Sequence, residues 1–172
     1  MCFISPTQLL ITNEIGNCVE EFNFDSHTIV PYIGECSSNH PEMIEGHRLN
    51  DVKIKRAVGI NYDGRGTLFT GLGSSQCIIA TEVANGWTSL FNHVPNAPRY
   101  LHFDVQSQKL FATLSNGFVT VSNDNMEYIV AKSTADRGTA IGSLAESQVN
   151  SPNDFIKLIN GVWLLSDRKN HR

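Results

Sequence analysis

The chain has 172 residues, 41% of them hydrophobic and 17% charged, with a formal net charge of −4. That length is one domain's worth, and the apolar share is enough to bury a core. The acidic balance excludes a generally basic nucleic-acid binder, and no apolar run approaches the roughly 18 residues of a membrane span. The opening MCFISPTQLLITNE lacks the basic start and small-residue cleavage site of a signal peptide.

Along the chain, short apolar runs alternate with turn residues. Leu10-Ile11-Thr12-Asn13 comes first; the run 18–22 then turns at Asp25-Ser26-His27 into 28–30. Residues 58–63 lead through Gly64-Arg65-Gly66 into Leu68-Phe69-Thr70-Gly71, and 77–80 turn at Asn85-Gly86 into 87–91. Residues 100–104 lead through Gln106-Ser107-Gln108 into Leu110-Phe111-Ala112-Thr113, and 118–121 turn at 123–125 into 128–130. Residues 155–158 lead through Asn160-Gly161 into Leu164-Leu165-Ser166-Asp167. Asn-Gly between apolar runs is a strong hairpin signal, because both residues tolerate positive φ. The four similar segments beginning at Leu10, Leu68, Leu110 and Leu164 recur at intervals of roughly 40 to 60 residues, close to the period of propeller blades. The unit is four short antiparallel strands. No long amphipathic helix is expected; the weak pattern over 141–149 is stopped by Pro152.

Residues 33–78 resemble an NHL-type β-propeller repeat. Gly34 and Gly46 match the glycines that follow the outer strand and lie in the inter-blade loop, and Val58-Gly59-Ile60, Asp63-Gly64 and Leu68-Phe69 follow. Gly138, Gly142 and Gly161 match similarly, and the stretch 167–172 is similar to the family's Asp-x-x-Asn-His-Arg. The resemblance runs from about residue 8 to the end; the middle repeat lacks the glycine-rich loop. It implies an all-β chain: one partial propeller over 1–172, with the end of one blade at 8–34, whole blades at 57–95 and 98–131, and the start of another at 152–172. A closed ring needs at least about four blades. The chain therefore reads as part of a longer propeller; the alternative is that copies self-associate to complete a ring.

Cys18 and Cys36 flank a hairpin whose turn is centred on His27, which sets them opposite one another. Directly opposed residues have Cβ atoms roughly 4.5–5.5 Å apart, near disulfide range. The expected bridge places the domain outside the cell or at its surface; two buried thiols in a cytoplasmic protein are the competing reading. Cys77 mirrors His93 across its own hairpin and so has no cysteine partner there. The redox state of Cys77 and Cys2 stays open.

No Ser-His-Asp order, H-E-x-x-H motif or C-x₂-C spacing stands out. Gly71-Leu72-Gly73-Ser74-Ser75 joins two strands and is not a phosphate loop. Catalytic members of the propeller class, the amidating lyases and lactonase-like hydrolases, hold calcium or zinc on the central axis. The positions here that could do so are Asn61, His102 and Asp154. Lys53, Lys55 and Arg56 form the basic run, and with Arg99 and Tyr100 they are the candidate interaction residues. One short basic run supplies few phosphate contacts. The reading is a non-catalytic module for a protein or glycan ligand, without cofactor, contacting its partner through residues 37–56 and 133–151. The alternatives are part of a calcium- or zinc-dependent propeller enzyme, and a cytoplasmic NHL scaffold or RNA-binding domain.

Overall fold

The computed structural model describes residues 1–36, 43–130, 143, 146–158 and 162–171. Sheet 1 contains β1 (Cys2–Ser5), β2 (Gln8–Asn13), β3 (Cys18–Asn23) and β4 (Thr28–Ile33), antiparallel and in chain order. A two-residue strand, β5 (Gly46–His47), follows. Sheet 2 contains β6 (Ala57–Tyr62), β7 (Thr67–Leu72), β8 (Cys77–Glu82) and β9 (Trp87–His93), and β5 joins its outer edge by pairing with β9. Sheet 3 contains β10 (Pro98–Asp104), β11 (Lys109–Leu114), β12 (Gly117–Val121) and β13 (Met126–Val130). Sheet 4 has only β14 (Pro152–Lys157) and β15 (Trp163–Asp167), closed by a 3₁₀ turn at Arg168–Asn170. Among the described residues there is no α-helix, and no helix is long and apolar enough to cross a membrane.

The four sheets stack face to face as a partial propeller, with one apolar layer between each neighbouring pair. Leu10, Val19, Ile60 and Leu68 lie between sheets 1 and 2. Phe69, Ile78, Leu101 and Leu110 lie between sheets 2 and 3. Phe111, Phe118, Val130 and Phe155 lie between sheets 3 and 4, with Trp163 and Leu165 packed against them. Strands β7 and β11 are buried on both faces, which is why they read as nearly unbroken apolar runs. The first strands lie side by side on the inner rim. At Gly59 a Cβ would sit 3.1 Å from the Arg99 carbonyl oxygen, so glycine lets β6 and β10 approach.

Three expectations need correction. Strand β1 lies upstream of residue 8 and pairs Phe3 with Leu9, so the first sheet has four strands and not three. Four residues ending at Ser5-Pro6 are too short to show a period. The blade start expected over 152–172 ends its second strand early: β15 stops at Asp167, whose carboxylate accepts from Asn150 N (2.7 Å) and Asn170 Nδ2 (2.7 Å). That ties the strand end to the preceding loop and turns the chain into the 3₁₀ segment. The repeat alignment is also out of phase: Leu10 points toward the following sheet, as do Phe69 and Phe111, whereas Leu68 and Leu110 point toward the preceding one. A one-residue slip exchanges the faces of a strand.

Candidate functional site

An open cleft of about 1310 Å³ lies on the inner rim between β10 and sheet 4. Most of its polar groups come from two neighbouring first strands. Tyr100, His102 and Asp104 project from β10; Asp154 and Lys157 come from β14. Its apolar side is Ile156 and Leu164, paired across β14 and β15 and 57% and 53% exposed.

Lys157 Nζ donates to Asp104 Oδ2 at 2.7 Å, joining sheet 4 to sheet 3. Ser107 Oγ donates to the same oxygen at 2.6 Å. These bonds, Lys157's first, hold the Asp104 carboxyl down at about 2. His102 packs edge-on against Phe155 and Trp163 at ring-centroid distances of 6.1 and 5.9 Å. Burial lowers its pKa below the usual imidazole value, with Lys157 acting in the same direction and Asp104 opposing. Burial likewise raises the Tyr100 hydroxyl. The cleft thus combines an imidazole whose neutral form burial favours, the Asp104–Lys157 ion pair, the Asp154 carboxylate and apolar surface.

The three candidate axial ligands do different things. Asn61 Oδ1 accepts the Phe103 backbone N–H at 2.8 Å, stitching sheet 2 to sheet 3. His102 and Asp154 both line the cleft, and Asp154 Oδ1 accepts the N–H of its neighbour Phe155 at 2.7 Å. Among the described residues, the group with close metal-ligand spacing is Cys18, Glu20 and Cys36, whose ligand atoms lie within 4.8 Å of one another. Its two sulfurs are joined in a disulfide, with Cα atoms 5.0 Å apart, so neither is a thiolate.

The bridge forms by a different geometry from the one expected. Asn23 pairs with Thr28, centring the turn ahead of His27, and a bulge lies between Val19 and Glu20. Val19 then pairs with Ile33, which brings Cys18 opposite Gly34. Cys36 is two residues further on, past the end of β4. Gly34, at φ +74°, lets the chain bend back over Cys18.

The candidate interaction residues are dispersed. Lys53 pairs with Glu35 at 3.2 Å and Arg56 with Glu14 at 2.7 Å, while Lys55 is exposed. Val52 and Ile54 alternate with these cations and are buried between sheets 1 and 2, so the basic run is the outer side of a core segment. Arg99 is half-buried on β10, and Tyr100 packs edge-on against Phe155 at 5.2 Å. Of the expected contact loops, 37–42, 133–142 and 144–145 lie outside the described residues. Sequence reasoning passed over Asp104 with Lys157 as a pair, and Ile156 with Leu164. The one visible signal was a lysine set in the apolar run 155–158.

These sheets define a partial β-propeller. No protein-family model matches the chain, and no curated protein matches it in sequence. Solved structures do match in fold. A streptogramin B lyase superposes on 96% of this chain with TM-score 0.63 and 13% identity, covering 46% of its own length. A catalytically inactive variant of virginiamycin B lyase from Staphylococcus aureus, with quinupristin, gives TM-score 0.62, 12% identity, 96% of this chain and 47% of its own. An auxiliary nutrient binding protein from Bacteroides thetaiotaomicron gives TM-score 0.55, 10% identity, 97% of this chain and 51% of its own. The chain spans about half the length of each of these structures. At such identities the likeness is one of fold alone.

Proposed function

We propose that the chain is a non-catalytic propeller module of the NHL type that binds a protein ligand outside the cell or at its surface, through the inner-rim cleft. The observation that carries this reading is the state of the cleft's charges. Its buried carboxylate, Asp104, is held in an ion pair with Lys157 and accepts a hydrogen bond from Ser107, so it links sheets 3 and 4 and is not left free for a substrate. The Cys18–Cys36 disulfide supports the extracellular placement, since such bridges persist in oxidising compartments.

The test is to immobilise the chain and screen it against secreted proteins and a glycan array, with and without a chelator. Saturable protein binding that survives chelation and is lost in Ile156→Asp and Leu164→Asp is the expected result. A stoichiometric calcium or zinc ion whose removal abolishes binding would replace this reading with the metal-dependent enzyme. Capture of glycans alone would leave the module but change its ligand.

A further inference from the structure

Cys18 and Glu20 stand two residues apart on β3, so their side chains leave the same face of sheet 1. Cys36 returns to that face from beyond β4 and is exposed, while Cys18 is fully buried. Glu20 Oε1 lies 4.0 Å from Cys36 Sγ. A disulfide sulfur carries no proton, so this oxygen receives no hydrogen bond from it. The other carboxylate oxygen, Oε2, accepts from Asn13 Nδ2 at 3.2 Å, and Asn13 Oδ1 accepts the Gly16 N–H at 2.7 Å. The asparagine is thereby fixed in one orientation, and it leaves Oε1 turned toward the sulfurs. Outer partners of this kind orient the carboxylate ligands of metal sites.

We propose that the chain, once its bridge is reduced, binds one thiophilic divalent cation, zinc or cadmium, through Cys18, Cys36 and Glu20. The three ligand atoms already lie within 4.8 Å of one another. Around tetrahedral zinc, with Zn–S about 2.3 Å and Zn–O about 2.0–2.2 Å, such atoms stand roughly 3.5–3.8 Å apart. The Cα atoms are 5.0 Å apart, and rotation about the two χ1 bonds carries the freed sulfurs to that separation. Two thiolates select zinc or cadmium over calcium and magnesium, which take oxygen ligands. Water fills the fourth position. The site opens by thiol–disulfide exchange with a dithiol. One reductant thiolate attacks the exposed Cys36 sulfur, the Cys18–Cys36 bond breaks, and Cys18 leaves. The second reductant thiol then displaces Cys36, so the reductant departs as its own disulfide and two protein thiols remain. The cation replaces the two thiol protons. Bridge and bound ion exclude one another, and the redox surroundings choose between them. The inner-rim cleft takes no part.

The test uses the full chain carrying Cys2→Ala and Cys77→Ala, so that Cys18 and Cys36 are the only cysteines. It is reduced with a dithiol, freed of reductant by anaerobic gel filtration, and titrated with cobalt(II). Expected is a sulfur-to-cobalt charge-transfer band that saturates at one ion per chain and is abolished by a small excess of zinc. Glu20→Gln should weaken zinc binding about tenfold or more, and the oxidised chain should give no band. Absence of the band from the reduced chain overturns the proposal, whether that chain keeps its sheets or loses them; its amide spectrum tells which. Equal binding by Glu20→Gln overturns the three-ligand site and leaves a bare thiol pair. Equal binding by the oxidised chain overturns it too, because the ion would then sit elsewhere.

Discussion

Phe155 is the residue on which sheet 4 turns. It is 4% exposed, and its ring lies 4.6 Å from Phe118, 5.2 Å from Tyr100 and 5.5 Å from Trp163, centroid to centroid. Truncating such a ring costs about 3–5 kcal/mol, transfer and cavity together. Sheet 4 has little to set against that loss. An isolated two-stranded hairpin is marginal at best; among the described residues the half-buried Trp163 and Leu165, the Lys157–Asp104 ion pair and a few hydrogen bonds, such as Thr113 Oγ1 to the Asn153 carbonyl at 3.4 Å, also tie it to sheet 3. Stacked repeats depend on nearest-neighbour interfaces, so the damage should stay local. In Phe155→Ala, amide exchange across Pro152–Lys157 and Trp163–Asp167 is expected to accelerate by about two to four powers of ten, while β2, β7 and β11 keep their protection. Exchange is read residue by residue by NMR at fixed pH. Acceleration of less than about tenfold would refute the energetic argument, since tenfold is only about 1.4 kcal/mol. Equal loss across all four sheets would refute the claim that sheet 4 is a separable unit.

Other perturbations test the bridge and the charges. Cys36→Ser should lower stability by about 3 kcal/mol, the chain-entropy value for a loop of this size, measured by urea unfolding of the oxidised and variant proteins. Cys2 and Cys77 thiols, both raised to about 11 by burial, should resist alkylation at neutral pH in the folded protein and react on unfolding. Acid should weaken sheet 4. Asp104 has its folded pKa depressed to about 2, so its contribution is complete above the ordinary value of 3.8 and is lost as pH falls from there through about 2. His102, lowered by burial, acts in the same sense, losing stability as pH falls below 6.5. Lys157→Met should flatten the Asp104 part of an acid-unfolding curve and also shrink the histidine part, because Lys157 helps hold the His102 pKa down.

Strand identity was legible because it is local: the two-residue period and the Asn-Gly turn at 85–86 are written in adjacent positions. Phase was less so. Leu-Phe at 68–69 and Leu-Leu at 164–165 look equivalent as letters, yet only sheet-to-sheet packing shows which of each pair faces forward. The Cys18–Cys36 pairing was found through a symmetric hairpin, but a bulge and an asymmetric turn each move the register, and the bend at Gly34 restores the contact. The cleft was invisible for a different reason. Asp104 and Lys157 are 53 residues apart and meet only because first strands of successive sheets are neighbours.

Phase also predicts where sheet 4 tolerates change. Leu10, Phe69, Phe111 and Leu164 all face forward from the second strands of successive sheets. The first three are 0%, 5% and 8% exposed because the following sheet covers them; Leu164 is 53% exposed. The hydrophobic contribution follows area removed from water, so chemically similar side chains at equivalent places should differ sharply in cost. Phe111→Ala is expected to cost about 3–5 kcal/mol, whereas Leu164→Asp should stay within about 0.5 kcal/mol, the range of an exposed site. Urea unfolding of the two variants compares them directly. A costly Leu164→Asp would mean that something covers this face in the isolated chain. A neutral one that also abolishes partner binding would show that Leu164 serves an interface rather than the fold.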